Sequence, residues 1–249
     1  MRKKIKTVFV SGSSTGVGFG IAKVLSNNGY AVIVNGRNEE RVFDAVNQLN
    51  KNSYGLVGDV TNLIDLQEIR KQIKLRSKKI YAIVPNVGSG SSVEPGKEKL
   101  IDWEQSFSIN FYSTIQTIYF LKDLLENNVS SIVCISSICG IDRVEGAPIT
   151  YSVAKSALNF FIKCSAPIFA LEGIRLNGVA PGNVIFPGSS WDEKMMKSEE
   201  QVLNMLNSKV PLKRFGTPNE IGELVEYILS DKASFMTGSV VTIDGGQSL

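Results

Sequence analysis

Short apolar segments alternate along the chain with longer amphipathic stretches, and this alternation narrows the available folds more than any other feature. The predicted strands are residues 7–11, 31–35, 54–57, 80–84, 131–136, 175–179 and 239–243. The predicted helices lie near residues 17–28, 39–50, 63–75, 103–127, 152–171 and 218–229. Several strands are apolar throughout, as strands covered on both faces are. Strand–helix alternation of this kind argues for a parallel sheet with right-handed crossovers. The expected fold is a single α/β domain, residues 1–249, doubly wound, with a central parallel sheet of about seven strands flanked by helices. Such a sheet places ligands at the carboxyl ends of its strands. Pro167 falls inside the predicted helix 152–171 and is expected to kink or break it. No internal repeat, low-complexity segment or interdomain linker interrupts the pattern.

The first predicted strand runs into the turn Ser11-Gly12-Ser13-Ser14-Thr15-Gly16-Val17-Gly18 and then an amphipathic helix. Glycine lets the backbone bend and lets a phosphate approach closely. The helix N-terminus adds free N–H groups and the positive end of the helix dipole. No Gly-Lys-Ser/Thr follows, so the turn is not a P-loop. Further on, Tyr151 and Lys155 stand about one helical turn apart and share a face. A phenol beside an ammonium is a poised proton donor, because the positive charge favours phenolate and lowers the tyrosine pKa from its ordinary ~10. Taken alone, the pair reads better as a surface tyrosine beside a solvated lysine, since such pairs are common; the glycine-rich strand–turn–helix at the start of the chain tips the balance.

Composition removes competing chemistries. There is no histidine, which excludes Ser-His-Asp hydrolysis, Cys-His nucleophilic catalysis and every histidine-based metal site; no metal site is expected. A net charge of +3, from 27 basic and 24 acidic residues, is too balanced to argue for nucleic acid or an anionic membrane. Arg2-Lys3-Lys4 reads as a solvated N-terminus, since the apolar Val8-Phe9-Val10 ends at once in Ser11-Gly12. No run approaches the ~20 apolar residues of a membrane span. The protein is expected to be soluble and cytoplasmic, with Cys134, Cys139 and Cys164 as reduced, buried thiols.

Together these pieces resemble the short-chain dehydrogenase/reductase family over nearly the whole chain. Gly12-x-x-x-Gly16-x-Gly18 matches its cofactor loop, and Pro85-Asn86-Val87-Gly88 matches its Asn-Asn-Ala-Gly segment imperfectly. Asn110, Ser137, Tyr151 and Lys155 stand where the family keeps its catalytic four, and Pro181-Gly182 and Asp244-Gly245-Gly246 match later landmarks. The stretch from Pro211 to Gly246 resembles bacterial 3-oxoacyl-[acyl-carrier-protein] reductases. The resemblance implies a Rossmann-type domain that transfers a hydride between a nicotinamide cofactor and a carbonyl or alcohol. Tyr151 would donate the proton, Lys155 would lower its pKa and hold the nicotinamide ribose, Ser137 would bind the substrate oxygen, and Asn110 would support a water-linked proton path. Ser136 is the neighbouring candidate; Ser137 is preferred because it precedes Ile138-Cys139-Gly140 as the family serine precedes its apolar-to-glycine segment.

The same resemblance assigns cofactor contacts to Gly12, Ser14, Thr15, Gly16, Val17, Gly18, Asp59, Val60, Asn86, Gly88, Tyr151, Lys155, Pro181, Gly182 and Val184. The second strand ends in Asn35-Gly36-Arg37 without the acid that bonds the ribose hydroxyls in NAD sites. A guanidinium at Arg37 can hold a 2′-phosphate, so NADP(H) is favoured over NAD(H). Asp59 resembles the family's adenine contact; the plain alternative is a turn aspartate. Residues 186–209 read as a lid over the substrate, or else as a surface excursion. Phe186 stands where the family often has a threonine that touches the carboxamide. The lead substrate is a 3-oxoacyl thioester. The alternatives are a sugar or sugar-acid dehydrogenase of surface-polysaccharide synthesis, hinted at by Asn183, Ser189, Ser190 and Trp191, and a catalytically silent NADPH-binding sensor. A homotetramer or homodimer is expected, through faces carrying Phe107, Phe111, Phe120, Phe160 and Phe161, unless those rings are all core.

Overall fold

The computed structural model describes residues 5–126 and 130–249. Its strands are β1 (Thr7–Val10), β2 (Ala31–Gly36), β3 (Tyr54–Val57), β4 (Ala82–Val84), β5 (Ser130–Ile135), β6 (Ile174–Pro181) and β7 (Val240–Ile243). They form one sheet in the order β3-β2-β1-β4-β5-β6-β7, parallel at every pairing. The order reverses between β1 and β4, and the crevice outside the strand ends opens there. The sheet bears out the predicted doubly wound α/β class, with no strand boundary moved by more than two residues; β6 runs on to Pro181.

The helices are α1 (Gly16–Asn27), α2 (Glu39–Asn47), α3 (Leu63–Arg76), α4 (Leu100–Phe107), α5 (Ser113–Leu121), α6 (Ile149–Leu171), α7 (Ser190–Lys197), α8 (Glu199–Lys209) and α9 (Pro218–Leu229). Side chains alternate across each strand, and both faces are apolar. Val8, Val10, Val32 and Val34 join Ile21, Leu25, Val42, Ile221 and Val225 beneath α1, α2 and α9. Phe9, Ile33 and Ile83 join Leu66, Ile69, Ile118, Leu158 and Ile162 beneath α3, α5 and α6. This two-sided burial explains why the central strands read as unbroken apolar runs.

Two predicted helices come out differently. The stretch 103–127 starts earlier, at Leu100, and is split by a π-helical turn at Ser108–Tyr112; Asn127 lies outside the described residues, as do Arg2, Lys3 and Lys4. Within and after the turn, Ser113 Oγ donates to the Ile109 carbonyl and Thr117 Oγ1 to the Ser113 carbonyl, at 2.6 and 2.7 Å. Such back-bonding bends helices. In contrast, α6 runs on through Pro167. The carbonyl that proline leaves without a donor belongs to Lys163, and both residues are exposed, so water can serve it. Of the three thiols only Cys134 is buried; Cys139 is half-buried and Cys164 exposed, which corrects the expectation that all three are interior. Among the described residues, no helix is long and apolar enough to cross a membrane.

Helices α1 and α9 pack at close range because Gly20 faces Pro218: a Cβ on Gly20 would stand 2.3 Å from the proline Cβ. In an open helix Gly→Ala gains about 0.5–1 kcal/mol. Here the clash reverses the sign, and Gly20→Ala should lower stability by about 1–3 kcal/mol. Urea unfolding checks this; an unchanged or raised midpoint would refute the close packing.

Candidate active site

The β1–α1 turn is shaped by its glycines. Gly12 and Gly16 have φ of +59° and +60°, in the left-handed region that glycine adopts freely. Gly18 is held by space: a Cβ there would lie 2.3 Å from the Gly12 carbonyl oxygen and 2.5 Å from Asn86 Nδ2. Asn86 ties the turn to the end of β4. Its backbone N–H donates to Ser11 Oγ at 2.9 Å, and its amide donates to the Ser11 and Gly12 carbonyls, each at 3.1 Å. Pro85, which has no N–H to give, accepts instead from the Ile135 N–H at 2.9 Å. Thr15 begins α1 without a capping side-chain hydrogen bond, so no side chain of the cap satisfies the N–H groups of the first turn. Uncapped donors above a floor with no room for a Cβ fit a dinucleotide pyrophosphate.

Asn35 at the end of β2 faces inward. It is buried, its Oδ1 accepts from the Gly12 N–H, and its amide donates to the Leu56 and Gly58 carbonyls at 3.2 and 3.0 Å. It braces the turn and has no group left for a ribose. Beyond it, Arg37 is largely exposed and lies 3.6 Å from Asp59 Oδ2. Asp59 Oδ1 accepts from both the N–H and the hydroxyl of Thr61. The plain alternative, a turn aspartate, is therefore met, and its second oxygen faces the cleft guanidinium. Ser14 packs against Gly36, where a Cβ would stand 2.6 Å from Ser14 Oγ. Val60 and Thr15 line the same end of the cleft.

Tyr151 and Lys155 rise from the first turns of α6 into the middle of this cleft. Lys155 is 2 % exposed, and its Nζ donates to the Ile135 carbonyl at 2.9 Å. Burial pushes Lys155 down to about 8 and Tyr151 up to about 12, with hydrogen bonding from Ser137 pulling the phenol partly back. The expected depressed tyrosine pKa is thus corrected. Desolvation disfavours both charged forms, and the ammonium, 5.9 Å from the ring centroid, does not offset it. Near neutral pH the arrangement is an intact phenol beside a charged lysine.

Gly88 brings a third group into place. Asn110 Oδ1 and Lys155 Nζ each lie 3.1 Å from where its Cβ would be, so any side chain there would push both aside. Asn110 sits in the π-turn and clamps Ser89, accepting from its N–H at 2.8 Å and donating to its carbonyl at 3.0 Å. Of the two serines, Ser136 donates to Asn159 Oδ1 at 2.5 Å and is engaged in the interior. Ser137 caps a short 3-10 turn, accepting from the Cys139 N–H at 3.2 Å, and bonds toward Tyr151. The structure therefore brings Asn110, Ser137, Tyr151 and Lys155 to one place.

Pro181-Gly182 closes the far wall. A Cβ on Gly182 would meet Asp244 Cβ at 2.6 Å, so this pair packs closely against the Asp244-Gly245-Gly246 turn. Val184 forms a bridge with Gly216. Residues 186–209 fold into α7 and α8, with a small apolar cluster of their own built on Val202, Leu206 and Val210 and packed by Trp191, Met205 and Phe215. Lys209 on α8 pairs with Glu145 from the loop before α6. Ser189 is not free for substrate: its Oγ accepts from the Asp192 and Phe186 N–H groups. The cleft encloses about 1390 Å³, larger than the ~300–1,000 Å³ of a typical small-ligand pocket, and so fits a dinucleotide with a substrate beside it. Arg41, Cys139 and Gln247 also line it and escaped sequence reasoning. Arg41, four residues after Arg37 and in the first turn of α2, was the one with a readable signal.

A glycine-floored turn at a helix N-terminus, joined to a half-buried tyrosine and a buried lysine at a strand-order reversal, defines an NAD(P)-dependent oxidoreductase. A family model described as enoyl-(acyl carrier protein) reductase matches residues 12–248. The chain is 32% identical over 247 residues to the 3-oxoacyl-[acyl-carrier-protein] reductase FabG of Aquifex aeolicus, covering 97% of this chain and 96% of that one. It is 31% identical over 242 residues to the FabG of Rickettsia conorii, with the same two coverages. The solved active-site complex of RhlG with NADP from Pseudomonas aeruginosa superposes with a TM-score of 0.90 at 25% identity, covering 98% and 96%. The chain belongs to the short-chain dehydrogenase/reductase family.

Burial makes Lys155 distinct from the solvated lysines. Titrated by NMR of ¹³C-labelled lysines, with Lys155→Met for assignment, it should lose its proton at about 8. An inflection at the ordinary value, near 10.5, would refute the desolvation argument.

Proposed function

We propose that the chain reduces the keto group of a 3-oxoacyl thioester with NADPH, through Tyr151, Lys155, Ser137 and Asn110. The observation that carries this reading is the convergence of those four side chains beside the phosphate seat. A bound nicotinamide would supply the two-electron reducing chemistry. The Ser137 hydroxyl bonds the substrate oxygen and sets it against the Tyr151 phenol. Tyr151 gives its proton to that oxygen as negative charge develops there. Lys155, charged below about 8, stabilises the phenolate that results and holds the ribose. Asn110, fixed on Ser89, keeps the proton path behind Lys155 in register.

The cofactor would lie across Gly12, Ser14, Thr15, Gly16, Val17 and Gly18, with Asp59 and Val60 at the adenine and Asn86, Gly88, Pro181, Gly182 and Val184 toward the nicotinamide. Arg37 would hold the 2′-phosphate; a carboxylate is absent from the end of β2, and Asn35 is engaged in bracing the turn. The NADP complex of RhlG supports the same preference. The thioester is supported by the names of the two FabG relatives and by the apolar wall that Trp191 and Met205 give the cleft. The sugar reading loses Ser189 to its capping role, and Asn183 bonds toward Met205 and Gln247. We further propose one domain with residues 186–209 as its lid. We also propose a homotetramer; of the rings expected to face it only Phe160 is exposed, Phe111, Phe120 and Phe161 packing against the core, so its faces would be built on Phe160 with the exposed Ile101, Tyr112, Tyr119, Ile168 and Leu171. Free thiols and NADPH dependence suit the cytoplasm.

NADPH oxidation followed with an acetoacetyl thioester tests the chemistry. Tyr151→Phe should lower kcat by at least ~10² while NADPH affinity stays near wild type; near-normal turnover would end the proposal. Arg37→Ala should raise KM for NADPH about tenfold or more, one lost charge-assisted contact being about 1.5–3 kcal/mol, and leave KM for NADH unchanged. Equal effects on the two cofactors would show that Arg37 does not read the 2′-phosphate.

A further inference from the structure

Phe186 belongs to the segment over the cleft, yet its ring touches the phosphate seat. Gly16 is the first residue of α1, and a Cβ built on it would stand 2.8 Å from Phe186 Cε2 and 2.9 Å from Cζ. The ring therefore lies in van der Waals contact with the Gly16 backbone, at the turn whose N–H groups face the cleft. Gly16 has a φ of +60° and no side chain, so nothing else fills that contact.

The residues on either side of Phe186 are fixed in different ways. Just before it, the chain is clamped to Gly216: the Gly216 N–H donates to the Asn183 carbonyl at 2.9 Å, and the Ile185 N–H donates to the Gly216 carbonyl at 3.1 Å. Just after it, the Phe186 N–H donates to Ser189 Oγ at 3.3 Å, and the Ser189 N–H donates to the Phe186 carbonyl at 2.9 Å. Ser189 is the N-cap of α7, which carries Trp191 and Lys194 into the cleft. Phe186 is thus the first residue beyond the clamp, and its backbone is bonded directly to the cap of the covering helix. Gly188, with a φ of +77° and open space around it, leaves the connection room to turn.

We propose that Phe186 is a positioning residue that couples pyrophosphate binding at α1 to the placement of the lid over the substrate. This rests on the dinucleotide reading of the cleft. A pyrophosphate arriving at the first turn of α1 meets the ring, and the ring's position is passed through the Ser189 cap to α7. The coupling needs only that the ring contacts the ligand differently in the two lid positions. Adenosine 2′-monophosphate, which reaches the adenosine end but carries no pyrophosphate, should not engage it.

The test uses the whole protein in wild-type, Phe186→Ala and Phe186→Leu forms. Trypsin cleavage after Lys194 and Lys197 is timed by mass spectrometry, and binding is measured separately by calorimetry. NADP⁺ should change the cleavage rate of the wild-type lid several-fold, and adenosine 2′-monophosphate should leave it unchanged. Phe186→Ala should bind NADP⁺ without any change in lid cleavage, and Phe186→Leu should keep part of the response. Trp191 fluorescence, in a Trp103→Phe background, should follow the same pattern. A full response in Phe186→Ala, or wild-type binding with no response, would overturn the coupling. Failure of the wild type to bind NADP⁺ in the calorimeter would instead bring down the dinucleotide reading and the coupling with it.

Discussion

The hydrogen-bonded seam between the ends of β1 and β4 is the constraint on which the rest of the site depends. At the point where strand order reverses, the regular pairing of β1 with β4 ends at Val10 and Val84. Asn86 continues the connection by bonding across to Ser11 and Gly12, and Asn35 braces the same turn from the β2 side. Two amides, Asn35 buried and Asn86 half-buried, thus hold a loop whose glycines would otherwise leave it many conformations. Gly18 then lets α1 close down on the loop until its first turn faces the cleft. An amide is suited to this task because it gives and accepts without carrying a charge that would repel or trap a phosphate.

The tyrosine–lysine pair follows a different logic, in which burial outweighs proximity. Four residues of helix put Tyr151 and Lys155 on one face, but α6 also carries them beneath the loop holding Ser137 and Gly140. A Cβ on Gly140 would stand 2.6 Å from the Lys155 carbonyl carbon, so this loop packs on the helix backbone itself. The resulting desolvation raises the phenol and lowers the ammonium. A neutral phenol can donate a proton, and a desolvated lysine can shed its charge readily, which is the behaviour the proposed roles require.

The sequence made the fold legible because two-sided burial writes itself as apolar runs: Ala31 to Val34 and Ile132 to Ile135 could hardly be anything but central strands. The tyrosine, lysine, serine and asparagine were legible through their order and spacing. What escaped was everything set by relief of local crowding or by long-range pairing. The π-turn at Ser108–Tyr112 leaves no periodic mark, since its residues are compatible with plain helix. Pro167 does not end α6, because the carbonyl it leaves without a donor, on Lys163, lies on the exposed face where water can serve it. Ser189 read as a ligand for hydroxyls until its partners, three residues to either side, accounted for it. The placement of Arg37 against Asp59 joins two strand ends, and no local pattern predicts such a contact.

Apart from Tyr151 and Lys155, which the unbroken helix α6 carries, the groups gathered at this site stand where regular hydrogen bonding stops. β4 ends after three residues, at Val84, and hands its role to Asn86 and Gly88. The α4–α5 ladder slips into a π-turn where Asn110 must reach Ser89. β5 gives way to a 3-10 turn where Ser137 must face Tyr151. β6 gives way to the Gly182 contact and the Gly216 clamp, beyond which Phe186 can reach Gly16. In a ladder a backbone group is already paired, and the side chain follows the strand or helix period. Interrupting the ladder frees one or the other to face a ligand, while the unbroken strands behind keep the interruption from spreading. A parallel sheet concentrates such interruptions at one edge because all its strands end there, so a cleft of this kind can change its substrate by altering the loops without disturbing the core that aligns them.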